Sequence, residues 1–101
     1  LGEPQGASVD YFALAAVVYF ALTGNPPFGS GDAQSILARE LSGNADYSGM
    51  APSVAVWLRR ALMPSADQRY RDAAEMKEAW KLAVRAARRR ERAQWWRLNR
   101  T

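Results

Sequence analysis

Residues 85–101, RAARRRERAQWWRLNRT, hold seven arginines, one glutamate and two adjacent tryptophans, a net charge of +6. Guanidinium groups at this density bind phosphate or carboxylate oxygens, and indoles beside them add apolar area or a stacking face. Elsewhere the chain is poor in reactive groups. It has no cysteine and no histidine, which excludes disulfides, thiolate metal sites and the usual neutral-pH acid–base. The ten carboxylates are scattered without ligand spacing, so neither a metal site nor a cofactor is expected. Gly29-Ser30-Gly31 follows a Pro-Pro-Phe turn rather than a strand, so it is not read as a phosphate cradle.

The basic balance belongs to the tail alone. Residues 1–84 carry seven Lys/Arg against nine Asp/Glu, a net of −2. At 101 residues and 49% apolar content, the chain is one small globular domain or a piece of a larger one. It opens on Leu rather than Met and shows no signal-peptide pattern, so a further N-terminal portion is expected.

These groups must be positioned by helices. Ser8 is a candidate cap, Asp10 is expected in the first turn, and residues 11–22 are wholly apolar. Twelve residues span ~18 Å, short of a bilayer's ~30 Å, so this helix reads as the centre of a bundle. Thr23-Gly24 and the Pro26-Pro27 pair stop it. Asp32 then caps a short helix to Leu41, with Ile36, Leu37 and Leu41 on one side. Ser42–Met50 reads as a loop that Tyr47 can anchor. A third helix over 53–62 turns Val54, Trp57, Leu58, Ala61 and Leu62 inward and Arg59 and Arg60 to water, and Pro64 ends it. Asp72 and Glu75 have capping-box spacing. Beyond them Met76, Trp80, Ala83, Val84 and Ala87 mark an apolar stripe, and the helical pattern runs to about Leu98. No stretch alternates convincingly as a strand. The expectation is all-α: four helices, the first buried and the last long and basic.

Two motifs in this order resemble a known family. SVDYFALAAVVYFALTGNPPF is similar to the protein-kinase stretch D-V-Y-S-L-G-x-x-L-Y-E-L-L-T-G-x-P-P-F, the central F helix of the large lobe and the loop after it. ALMPSADQRYRDAAEMKEAW is similar to L-x-K-N-P-x-x-R-Y-x-S-A-x-E-M, which joins that lobe's last two helices. The wording is closest to bacterial eukaryotic-like Ser/Thr kinases. The resemblance implies a partial C-lobe over residues 1–84, from the F to the I helix, followed by a basic, Trp-bearing helical extension over 85–101.

It also implies roles for single residues. Phe28 would plug the lobe, with Trp57 in the core. Asp10 would accept hydrogen bonds from the catalytic loop, and Arg69 would pair with Glu3. The family order at the last site is Pro-Glu, whereas here it is Glu3-Pro4. Ala15 replaces a usual Gly and Ala66 a usual Pro.

The residues that perform kinase chemistry are not among these 101. There is no Gly-rich loop after a strand, no Lys–Glu pair of that context, no catalytic Asp with its Asn, and no Asp-Phe-Gly. Alone, the chain is expected to be non-catalytic and to act structurally or as an interaction module. The alternative is the C-terminal part of an active, membrane-associated Ser/Thr kinase whose catalytic half lies upstream. Either way the Tyr11–Leu22 helix needs cover: the missing lobe, a second copy, or another protein chain.

In the tail, Arg88, Arg89, Arg92, Trp95 and Trp96 are the candidate partner contacts. Packing on protein ranks first there, an anionic membrane surface second, and nucleic acid last because no nucleic-acid-binding fold is present. The resemblance implies a cytoplasmic location at the inner face of a membrane, with any membrane span lying beyond Thr101.

Overall fold

Caps and apolar spacing coincide at most of the helix boundaries. The computed structural model describes the backbone of residues 5–100 and the side chains of residues 10–100. Its elements are α1 (Gln5–Thr23), α2 (Ala33–Ser42), α3 (Pro52–Ala61), a 3₁₀ turn (Ala66–Gln68) and α4 (Ala73–Asn99). No strand occurs among the described residues, so the chain is all-α.

α1 begins at Gln5, earlier than expected. No proline interrupts residues 5–8, so the helix takes in Ser8 instead of being capped by it. Asp10 consequently lies in the second turn, exposed, and not in the first. At the other end the Gly24 amide donates to the Phe20 carbonyl at 2.7 Å with φ +77°. That left-handed conformation favours glycine and closes the helix before the two prolines.

α2 starts where Asp32 accepts from the Ser35 amide at 2.7 Å. The expected apolar side of α2 is not covered, however. Leu37 and Leu41 are exposed, Ile36 is half-buried, and the helix contributes no buried residue. α4 is capped by Asp72, which accepts from the Glu75 amide at 2.8 Å. The reciprocal bond closes one residue early, because Glu75 Oε1 accepts from the Arg71 amide at 2.7 Å rather than from Asp72. The same oxygen takes Arg60 Nη2 at 3.1 Å. We expect Asp72→Ala to lower unfolding stability by about 1 kcal/mol, read as the urea midpoint, with Asp72→Asn retaining most of it. A neutral Asp72→Ala would mean that the cap does not form in solution.

The core is built around α3. Val54, Trp57, Leu58, Ala61 and Leu62 are all buried, as their spacing predicts, together with Ala55. α1 contributes Ala15 and Tyr19 from one side, and α4 contributes Met76 and Ala83 from the other. The Trp57 indole lies between Tyr70, at 5.9 Å between ring centroids, and Trp80, at 4.7 Å and 62°. Its Nε1 donates to the Met76 carbonyl at 3.0 Å, so the one polar atom of this large group is satisfied. Ser53 Oγ donates to the Ala83 carbonyl at 2.7 Å and fixes the start of α3 against the middle of α4.

α4 outruns the body. Its 27 residues span ~40 Å, but Ala87 is its last partly buried residue, and Arg88 to Arg100 are exposed throughout. The radius of gyration is accordingly 15.5 Å, where a compact chain of this size has about 13 Å. Among the described residues no helix is long and apolar enough to cross a membrane.

Candidate functional site

From Tyr11 to Leu22 α1 carries apolar side chains around its whole circumference, but among the described residues it has neighbours on only one side. Ala15 and Tyr19 are buried toward α3, and Tyr11, Phe12 and Val18 pack at the margins. On the opposite flank Leu14, Val17 and Phe20 are 54%, 64% and 54% exposed. Positions 14, 17 and 20, with Ala13 and Ala21, recur three and four residues apart, which makes one continuous apolar stripe. Fully burying a Leu, Val or Phe is worth ~1.5–3 kcal/mol, so this flank carries several kcal/mol of unrealised stabilisation. Beside it a groove of ≈ 450 Å³ is lined by Tyr11, Leu14, Val18, Trp57, Met76 and Trp80. The stripe and groove share Leu14 and are nearly free of polar atoms. They are predominantly a packing surface, with Lys77 and Tyr11 as polar-tipped side chains in the groove's lining.

The loops hold α1 in place. Phe28 is buried and stacks on Phe12 at 6.2 Å and 4° between planes. Arg39 of α2 donates through Nε to the Phe28 carbonyl and through Nη2 to the Ser30 carbonyl at 2.9 Å. The Gly-Ser-Gly loop therefore curls over a guanidinium that the sequence did not single out. Its signal was the one basic residue of α2, next to Glu40. On the far side the Tyr19 hydroxyl donates to the Asp46 carbonyl, and Tyr47 meets the Tyr19 ring edge-on at 6.0 Å. Between these loops lies a hollow of ≈ 850 Å³, whose polar lining includes Asn25, Arg39, Asp46, Ser48 and Glu91. Its charges are of both signs and select no class of ligand. Among the described residues no three His, Cys, Asp or Glu side chains gather as a metal site would need.

Local electrostatics is structural in character. Hydrogen bonds from the Ser35 amide and hydroxyl hold the exposed Asp32 carboxyl below its usual range, and those from Ser48 do the same for Asp46. Burial pushes the Tyr47 and Tyr70 hydroxyls upward, opposed by Arg59 and Arg60 respectively. Those two arginines face water as expected, yet each guanidinium lies over a ring: Arg59 over Tyr47 at 4.9 Å, Arg60 over Tyr70 at 4.3 Å.

Arg69 joins α1 to the turn before α4. Its Nε donates to the Met63 carbonyl at 2.7 Å and its Nη2 to the Pro64 carbonyl at 3.1 Å, and its guanidinium lies 4.7 Å from the Phe12 ring centroid. Burial draws its pKa down. Its expected partner Glu3 lies outside the described residues. Asp10 is exposed. The structure therefore brings Phe28 and Arg69 together through Phe12, places Trp57 in the core, and leaves Asp10 aside.

The tail residues Arg88, Arg89, Arg92, Trp95 and Trp96 all stand on the free half of α4. Trp95 and Trp96 are 57% and 64% exposed and touch edge-to-face at 5.2 Å. Successive arginines at 85, 88, 89 and 92 are helical neighbours, and each like-charge pair opposes the helix by ~0.2–0.5 kcal/mol.

Over 70 residues, 67% of its length, the chain is 33% identical to the Serine/threonine-protein kinase PkaA of Streptomyces coelicolor. It spans 13% of that protein, well under two thirds. No protein-family profile matches the chain, and no solved structure matches it. The partial similarity supports a kinase-related origin.

Proposed function

We propose that this chain is a segment of the large lobe of a Ser/Thr protein kinase-like protein, lying beyond the catalytic residues and working as a packing and interaction module. The observation that carries this reading is the bare apolar stripe of α1 within a segment of kinase-like sequence. A helix apolar on all sides is built to be surrounded, and here one flank is left for a partner. On this reading the occupant is the remainder of a kinase-like lobe or another protein chain, and copies of the chain cover one another when it is alone. The cytoplasmic face of a membrane is the location the tail suits.

A second reading has its own support. The kinase matched is far longer than this chain, so an active catalytic half on the same polypeptide would cover α1 in cis. The intact mass of the polypeptide in its source separates the two. A mass near 11.2 kDa favours the free-standing module, and ~30 kDa or more, the size that adds the missing lobe, favours the kinase.

The isolated 101-residue chain supplies the direct test. Mg-ATP is expected to leave its thermal midpoint unchanged, and any nucleotide-dependent stabilisation would overturn the non-catalytic reading. Sedimentation should show concentration-dependent self-association that Val17→Glu with Phe20→Glu abolishes, while folded stability stays within about 0.5 kcal/mol as for surface positions. A large loss of stability in that variant would mean that the stripe is internal to the fold and not a docking face.

A further inference from the structure

We propose that the outer half of α4 is a binding arm for the surface of an anionic phospholipid bilayer. This rests on the tail alone and is independent of the kinase-like reading. Positions 85, 88, 89, 92 and 96 recur at helical spacing, so four arginines and Trp96 form one stripe, with Trp95 at its margin. Positions 76, 80, 83 and 87 define the flank that packs on the body, about 180° away at 100° per residue. The stripe therefore points away from the body along its whole length, and every residue from Arg88 onward is exposed.

Charge selects the partner. The arm carries +6 and the rest of the chain −2, so an anionic plane attracts the stripe and repels the body, which orients the molecule without a pocket. All seven cations of the arm are arginines, whose planar guanidiniums take phosphate oxygens in pairs. The tryptophans decide between polyanions. Trp96 lies in line with the guanidiniums, so a flat surface meets both at once: phosphates at the level of the arginines, and the acyl boundary at the level of the indoles. A nucleic-acid helix offers phosphates but no apolar layer beneath them. The two indoles, moreover, are already set edge against face and leave fewer open faces for bases. Leu98 falls on the other flank, in line with the core positions, and is not counted in the stripe.

The test is co-sedimentation of the 101-residue chain with vesicles of phosphatidylcholine, alone or mixed with phosphatidylglycerol, read with tryptophan emission. Binding is expected only to the mixed vesicles, with a blue-shifted emission that added salt reverses. At roughly fivefold in partition per basic residue, Arg88→Gln, Arg89→Gln and Arg92→Gln together should weaken binding by about a hundredfold. All three side chains are exposed, so the fold is retained. Trp95→Ala with Trp96→Ala should remove the blue shift. Equal binding to neutral vesicles would overturn the proposal, as would tighter binding to duplex DNA or RNA at the same salt. A blue shift that persists without both tryptophans would come from Trp57 or Trp80, assign the contact to the groove that α1 shares with them, and overturn it equally.

Discussion

Trp57→Ala is expected to remove about 3–5 kcal/mol of stability. Against the ~5–15 kcal/mol of an ordinary domain, this is a large fraction of the whole. The side chain is buried between Tyr70 and Trp80, and it supplies the area through which α3 grips the first turns of α4. Its loss opens a cavity that the surrounding rings cannot close, since each is held by its own helix or turn. Far-UV circular dichroism across a urea gradient checks this. Trp57→Phe should recover most of the loss, because the ring is replaced and only the bond to the Met76 carbonyl is given up. A shift under 1 kcal/mol for Trp57→Ala would show that α3 and α4 are held together elsewhere.

Phe28→Ala should be nearly as costly, about 3–5 kcal/mol if the site does not collapse, but its effect should be distributed differently. Phe28 does not belong to the α3–α4 interface. It fastens the loop after α1 onto Phe12, and its carbonyl is one of the two that hold Arg39 and hence α2. Hydrogen exchange should therefore quicken first in residues 24–42, while amides of α3 and the inner half of α4 keep their protection. Uniform loss of protection would mean that the loop and the α3–α4 core unfold as one unit. With Trp57→Ala, the two variants separate a global clamp from a local one.

Most of what positions these groups was legible in the sequence, and the exceptions share a cause. The inner face of α3 was readable because a five-residue apolar set at helical spacing brackets the Arg59-Arg60 pair, and tertiary packing agrees with that pattern. The Asp32 and Asp72 caps were readable because the chemistry is local. The start of α1 was not, because Ser8 advertises a cap that the chain does not need when the helix continues through it. Leu37 and Leu41 stay exposed because spacing shows which residues share a side, not whether another element arrives to cover that side. The site's joints were the least legible. Arg39 binds carbonyls of residues 28 and 30, and Arg69 binds those of residues 63 and 64. Backbone carbonyls leave no trace in residue types. The resemblance pointed to Arg69 through a carboxylate, Glu3, that lies outside the described residues, and gave no hint of the main-chain oxygens and phenyl ring that Arg69 also meets.

The unbroken course of α4 has a mechanical consequence. A helix clamped over its inner turns by Trp57 and the Ser53 bond, and free over its outer turns, is a lever with its fulcrum near Ala83. Whatever seizes the arginines pulls on an arm longer than the clamp that resists it, so a modest lateral force at Trp96 becomes a larger force at Trp80 and Met76. No glycine or proline lies between them to act as a joint. Load placed on the tail is thus delivered undamped to the aromatic stack at the centre of the fold.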